Sequence, residues 1–137
     1  MTFFPWEDRY RIGVDKIDLQ HEKLVGLLND LYNAMHAGEG RAALSRVLTG
    51  LTRYVETHFQ TEEQIMRDRG YPDLALHRRK HEKMTQKVGD LQSAFESGKI
   101  ISPVQISNFL KGWLQKHILE TDRQFGDFCR MRDRKSE

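Results

Sequence analysis

The sequence predicts an all-α protein, an up-down-up-down four-helix bundle with an N-terminal extended arm. Apolar residues recur at three- and four-residue intervals along four long segments, which is the pattern of amphipathic helices. Short stretches containing glycine or proline separate these segments, and short turns favour antiparallel neighbours. A chain of 137 residues suits a single domain, with an arm over 1–17, a bundle over 18–128 and a basic tail over 129–137.

The first two helices have clear end signals. Helix one is expected over Asp18–His36, with Asp18 as the N-cap and Gly38 after its last turn. Its apolar stripe consists of Leu24, Leu27, Leu28, Leu31 and Met35. Helix two is expected over Arg41–Arg69 and is stopped by Gly70.

The third and fourth helices follow the same rules. Helix three is expected over Asp73–Glu96, where apolar residues and histidines repeat with nearly heptad spacing before Gly98. Ser102 and Pro103 predict the start of helix four, as an N-cap serine followed by a proline at the first helical position. Helix four continues to about Phe128.

Charge and composition exclude several classes of protein. The chain has 22 basic and 20 acidic residues without a concentrated basic face, so no nucleic-acid partner is expected. The single cysteine, Cys129, excludes a disulfide framework and a cysteine-rich zinc or iron–sulfur site. No apolar run approaches the roughly 18 residues of a membrane span, and the N-terminus lacks a signal-peptide pattern. We expect a cytoplasmic monomer without membrane insertion.

Five of the six histidines and two carboxylates lie at helix positions from which their side chains can reach one common site. In the expected bundle, the starts of helices one and three and the later parts of helices two and four lie at the same end. All seven groups therefore meet at one level, which favours a two-metal site over ordinary packing. These residues are His21, His58, Glu62, His77, His81, His117 and Asp122.

Local spacing supports convergence for two of the three ligand pairs. The pairs His58–Glu62 and His77–His81 are each four residues apart, which places both side chains on one helix face. The pair His117–Asp122 is five residues apart, nominally about 140° around an ideal helix. A π-bulge, which tends to occur at functional sites, would bring this pair onto one face.

The donor set restricts the metal without identifying it. Imidazole with carboxylate suits zinc, copper, nickel or iron, and seven ligands exceed one zinc tetrahedron. Two six-coordinate metals that share two carboxylates and one bridging oxygen need six further ligands. Five histidines leave one position open for a small molecule.

The array resembles the hemerythrin family, specifically the single-domain bacteriohemerythrins. The resemblance runs from about Trp6 to Phe128 and includes the leader around Gly13-Val14-Asp15. The motifs that carry it are Asp18-Leu19-Gln20-His21, His58-Phe59-Gln60-Thr61-Glu62, His77-Arg78-Arg79-Lys80-His81 and His117-Ile118-Leu119-Glu120-Thr121-Asp122.

This resemblance implies reversible dioxygen binding at a non-haem di-iron centre, by a protein that is not an enzyme. Two iron ions (Fe2+/Fe3+) would be bridged by Glu62, Asp122 and an oxo or hydroxo group. One iron would be held by His77, His81 and His117, and the other by His21 and His58. The open position would belong to the second iron. Dioxygen is then the expected partner, for storage, for delivery to an oxygen-consuming enzyme or for sensing.

Four residues within one turn of the ligands are expected to wall the O2 pocket, namely Phe59, Trp113, Leu114 and Ile118. Alternative functions are a di-iron enzyme, such as an oxidase or peroxidase, and the handling of iron or nitric oxide. Ferritin-like enzymes use Glu-x-x-His pairs, and no histidine here has a glutamate three residues before it. A zinc hydrolase is rejected because His77-Arg78-Arg79-Lys80-His81 lacks the glutamate of H-E-x-x-H.

Overall fold

The computed structural model of the chain describes residues 2–38, 41–99 and 103–135. A short 3-10 turn, Asp8–Tyr10, lies in the N-terminal arm. The helices are α1 (Asp15–His36), α2 (Arg41–Asp68), α3 (Leu74–Glu96), α4 (Pro103–Lys116) and α5 (Arg123–Lys135), and a π-helical segment (His117–Asp122) joins α4 to α5. These described residues contain no strand, and the predicted all-α four-helix bundle is confirmed.

The start of α1 differs from the prediction because Asp18 is not its N-cap. Val14 precedes the helix in an extended conformation and makes no side-chain cap. Asp18 lies in the first turn, where its buried carboxylate accepts hydrogen bonds from the backbone N–H groups of Ile12 (2.8 Å) and Gly13 (3.2 Å). Gly13 has a φ of 92°, a conformation that favours glycine. Asp18 therefore ties the arm to α1.

The bundle is held by one apolar face of each helix. The principal helix contacts join α1 to α2, α2 to α3 and α1 to α4. Leu28, Leu51, Val88 and Leu110, one from each of these helices, are buried. Burying a side chain of this size contributes about 1.5–3 kcal/mol, so the core keeps the helices in a single relative register. Across the described residues, none of the helices is both long and apolar enough to cross a bilayer.

The predicted fourth helix consists of α4, the π-helical segment and α5. Ser102, its predicted N-cap, lies outside the described residues. The basic tail predicted from residue 129 is helical as far as Lys135. Cys129 is buried there, and Arg130 Nη1 donates a hydrogen bond to the backbone oxygen of Ile12 (3.3 Å). Contact with the arm therefore stabilises α5 beyond the predicted boundary.

The N-terminal arm packs across the bundle. Phe4, Tyr10 and Ile12 are almost completely buried. The side chain of Asn29 in α1 makes two hydrogen bonds with the backbone of Phe4, at 2.8 and 2.9 Å. At Gly126 in α5, a Cβ atom would overlap the backbone oxygen of Ile12, so the close approach of the arm to this helix requires glycine.

Candidate metal centre

The structure brings the seven sequence-predicted ligands together at one level of the bundle. All seven are buried, with at most 3% of the residue surface exposed. They comprise His21 from α1, His58 and Glu62 from α2, His77 and His81 from α3, and His117 and Asp122 from the π-helical segment. His36, at the C-terminal end of α1, is exposed and lies outside the cluster.

The π-helical segment explains how His117 and Asp122 reach the same site. A π-helical turn is wider than an α-helical turn, so residues five apart lie on one face. His117 Nε2 is 3.0 Å from Asp122 Oδ1. The π-bulge predicted from the five-residue spacing is therefore confirmed.

Glu62 and Asp122 lie between two sets of histidines. Glu62 Oε1 is 2.6 Å from His77 Nε2, and its Oε2 is 3.0 Å from His58 Nε2. Asp122 Oδ1 is 2.8 Å from His77 Nε2, and its Oδ2 is 2.8 Å from His21 Nε2. Each carboxylate thus turns one oxygen toward each set, as a carboxylate that joins two cations must do.

The ligand atoms form two overlapping groups, in each of which all atoms lie within 4.8 Å of one another. One group consists of His77, His81, His117, Glu62 and Asp122. The other consists of His21, His58, Glu62 and Asp122. Because both carboxylates belong to both groups, two cations can share them.

Several polar atoms at the centre have no hydrogen-bond partner among the described residues. They are both ring nitrogens of His21, Nε2 of His58, Oε2 of Glu62 and both carboxylate oxygens of Asp122. His21 Nε2 lies 2.8 Å from Asp122 Oδ2, yet the two groups are not aligned for a hydrogen bond. Leaving such groups buried and unpaired costs about 1–3 kcal/mol each, more when they are charged. The donor atoms converge on shared space, which fits metal ligation.

Without a metal, the carboxylates attract protons to the surrounding rings. Burial lowers the pKa of His21, but the adjacent carboxylates of Asp122 and Glu62 outweigh burial and raise this pKa to about 9. The same balance raises the pKa of His117 to about 10. At His58 burial dominates, and the pKa is lowered. Since a ligating histidine must be neutral, a cation that enters the site has to displace these protons.

Polar residues outside the predicted set contact the clustered histidines. Gln20 Oε1 lies 2.8 Å from His58 Nδ1, and Glu63 Oε2 lies 2.8 Å from His81 Nδ1. Arg78 in turn makes an ion pair with Glu63. Gln20 directly precedes His21 and Glu63 directly follows Glu62 in the sequence, and this adjacency is the one signal that could have pointed to them. Whether such a neighbour faces another helix depends on packing, so the sequence analysis missed these contacts.

The two aromatic residues predicted for the O2 pocket stack on histidine rings of the cluster. Phe59 lies parallel to His81, with ring centroids 3.9 Å apart. Trp113 lies nearly parallel to His117, with ring centroids 4.6 Å apart. The rings of Phe59 and Trp113 also meet edge to face at 5.6 Å. Together they form an aromatic wall over two rings of the three-histidine group.

The two aliphatic residues predicted for the pocket are both buried in the core. Leu114 lines a small apolar cavity of about 20 Å³, together with Leu24, Val55 and other core residues. Leu24 and Val55 lie one helical turn from His21 and His58. Met84 and Trp113, which also line the cavity, lie one turn from His81 and His117, so the cavity lies below both groups of histidines. Ile118 is completely buried and follows His117 directly in the chain. The role of all four residues in dioxygen binding stays a prediction.

Comparisons with known proteins agree with one another. A family model described as the hemerythrin HHE cation binding domain matches residues 12–129. The chain is 35% identical over 127 residues to a bacteriohemerythrin of Stenotrophomonas maltophilia, covering 93% of this chain and 82% of that protein. A bacteriohemerythrin of Methylococcus capsulatus is 32% identical, with 92% of this chain and 96% of the relative covered. A solved wild-type hemerythrin aligns with a TM-score of 0.85 and 29% identity, covering 91% of this chain and 96% of the other.

Proposed function

Because the chain belongs to the hemerythrin family, we propose that it binds dioxygen reversibly at two iron ions held inside the bundle. The observation that carries this proposal is the pair of overlapping donor groups, which share two carboxylates. Hemerythrins bind oxygen and non-haem iron and are not enzymes. The expected activity is therefore binding and release of an unchanged ligand.

Each donor group would hold one iron ion. His77, His81 and His117 would ligate the first, and His21 and His58 the second. Glu62 and Asp122, with an oxo or hydroxo group, would bridge the pair, which is supported by the direction in which their oxygens point. Iron bound there would supply the electrons and the open coordination position that dioxygen requires.

The surrounding residues keep the binding position dry. The two-histidine group has one ligand fewer than the three-histidine group, so the vacancy is expected on its side. The apolar cavity lined by Leu24, Val55, Trp113 and Leu114 adjoins both groups of histidines and has room for about one small molecule. Apolar walls of this kind exclude the water and protons that would compete with reversible binding.

The same chemistry serves storage, delivery to an oxygen-consuming enzyme and sensing, and the site geometry is common to all three. The pocket role of Phe59, Trp113, Leu114 and Ile118 belongs to this proposal. A cytoplasmic monomer remains the prediction from the sequence.

Visible absorption of the iron-loaded protein tests the proposal. The protein is reduced without air, exposed to air and then returned to an oxygen-free atmosphere. Two irons per chain and an absorption band that forms with dioxygen and disappears without it are expected. Irreversible conversion to diferric protein, or fewer than two irons per chain, would contradict the proposal.

Variants of the two carboxylates test the bridging assignment. Glu62→Ala or Asp122→Ala should lower iron loading below two per chain and so lose the paired cluster, because each change removes a carboxylate that both irons would share. Glu120→Ala is the matched control, since Glu120 is an exposed acidic residue of the same π-helical segment. Retention of two coupled irons in Glu62→Ala would rule out its bridging role.

A further inference from the structure

Glu63 connects the buried site to a groove on the protein surface. The groove lies between α2 and α3, has a volume of about 430 Å³ and is lined by Glu56, Phe59, Glu63 and His81 among others. The side chain of Glu63 is 20% exposed, and that of His81 is 2% exposed. Glu63 therefore stands between solvent and a buried ligand.

Both carboxylate oxygens of Glu63 are engaged. Oε2 lies 2.8 Å from His81 Nδ1, and Oε1 lies 3.1 Å from Arg78 Nε. Because a carboxylate oxygen only accepts hydrogen bonds, Nδ1 of His81 must carry the proton. Nε2, the nitrogen that faces the cluster 3.1 Å from Glu62 Oε1, is then the atom left to ligate a cation.

The corresponding contact in the two-histidine group has no charge. There, Nδ1 of His58 donates its hydrogen bond to the amide oxygen of Gln20 at 2.8 Å. A hydrogen bond to a carboxylate is stronger than one to an amide and makes the imidazole a more basic ligand. The two groups thus differ in the number of histidines and in the charge of the residue that accepts a hydrogen bond from one of their rings.

We propose that Glu63, held in place by Arg78, is a positioning residue that fixes the tautomer of His81 and strengthens its Nε2 as a metal ligand. This inference rests on the proposed metal-binding function. Phe59 stacks on the His81 ring at 3.9 Å and limits the tilt of that ring. The hydrogen bond to Glu63 fixes the rotation of the ring and keeps a proton on Nδ1. His81 thereby binds a divalent cation more strongly than it would with a neutral partner.

Zinc titration of the metal-free protein, in competition with a chromophoric chelator, measures this effect without oxygen chemistry. Glu63→Ala should weaken zinc binding by about 10- to 100-fold, the usual effect of removing such a partner. Glu63→Gln should cause a smaller loss, because its amide oxygen still accepts the hydrogen bond. Arg78→Ala should also cause a smaller loss, because it frees Glu63 without removing it. Glu56→Gln removes the same charge from the same groove and should leave zinc affinity unchanged.

Nitrogen–proton NMR of the zinc-loaded protein supplies a readout that a purely structural role would not move. The Nδ1–H resonance of His81 should exchange slowly with water in the original protein and in Glu56→Gln. It should exchange faster in Glu63→Ala, and it should shift upfield in Glu63→Gln because the hydrogen bond is weaker.

Equal zinc affinity and an unchanged His81 resonance in Glu63→Ala would overturn the inference. A protein that loads zinc with the expected dependence on Glu63, yet never binds dioxygen with iron, would overturn the proposed function alone. The two failures are therefore distinguishable.

Discussion

The contact between the arm and α5 is sensitive to a single methyl group at Gly126. In Gly126→Ala, the new Cβ would overlap the backbone oxygen of Ile12 and lie 3.0 Å from the Cβ of Ile12. Ile12 cannot move freely, because its N–H donates to Asp18 and its carbonyl oxygen accepts a hydrogen bond from Arg130. The arm must therefore lift away from α5 to admit the methyl group.

The expected cost follows from these contacts. Overpacking of this kind costs about 1–3 kcal/mol. Ile12 is completely buried, and full exposure of its side chain would cost about 1.5–3 kcal/mol, of which a small displacement loses a part. The higher helix propensity of alanine stabilises the folded protein by about 1 kcal/mol relative to glycine, which offsets part of this loss. We expect a net loss of about 1–3 kcal/mol in the free energy of unfolding, which lowers the melting temperature by roughly 3–10 °C for a chain of this size.

Urea and thermal unfolding of the metal-free protein, followed by circular dichroism, measure this loss. Gly112→Ala is the matched control, because Gly112 lies in α4 and nothing is within 4 Å of a Cβ built there. The control should gain about 1 kcal/mol from helix propensity alone. If Gly126→Ala gained stability as Gly112→Ala does, the close packing of the arm on α5 would be refuted.

Trp113→Ala should speed the loss of iron to a chelator by about tenfold, because Trp113 covers His117 at a groove of about 450 Å³ between α3 and α4. Phe109→Ala, in the same groove and without ring contact to a ligand, should have little effect, and equal rates in both variants would contradict the shielding role. Without metal, the free energy of unfolding should fall as the pH rises. The folded protein raises the pKa of His21 to about 9 and that of His117 to about 10. The stability that these protonated rings add is complete below about 6.5, the pKa of an unfolded histidine, and is lost through pH 9–10. Urea midpoints at pH 7 and pH 10 measure this decline. The metal-loaded protein, whose histidine ligands are already neutral, should lack it, and the same decline in both forms would contradict the assignment.

The helical bundle and the seven converging residues were predictable because helical periodicity and turn signals are local properties. The four-residue spacing of His58 and Glu62 is enough to place them on one face of α2. The five-residue spacing of His117 and Asp122 indicated that a π-bulge would bring them onto one face, and the structure contains one. The helix ends were less predictable. Asp18 is a residue type that often caps helices, but its carboxylate accepts hydrogen bonds from the arm.

The sequence by itself determined the fold class, the level at which the ligands meet and the family resemblance. Only the tertiary structure decided which neighbours support those ligands. Glu63 contacts His81 because α2 and α3 pack at one particular rotation, and Gly126 admits the arm because α5 continues past the predicted end of the bundle. Such contacts depend on the relative placement of separate elements, and a periodic pattern within one helix carries no information about that placement.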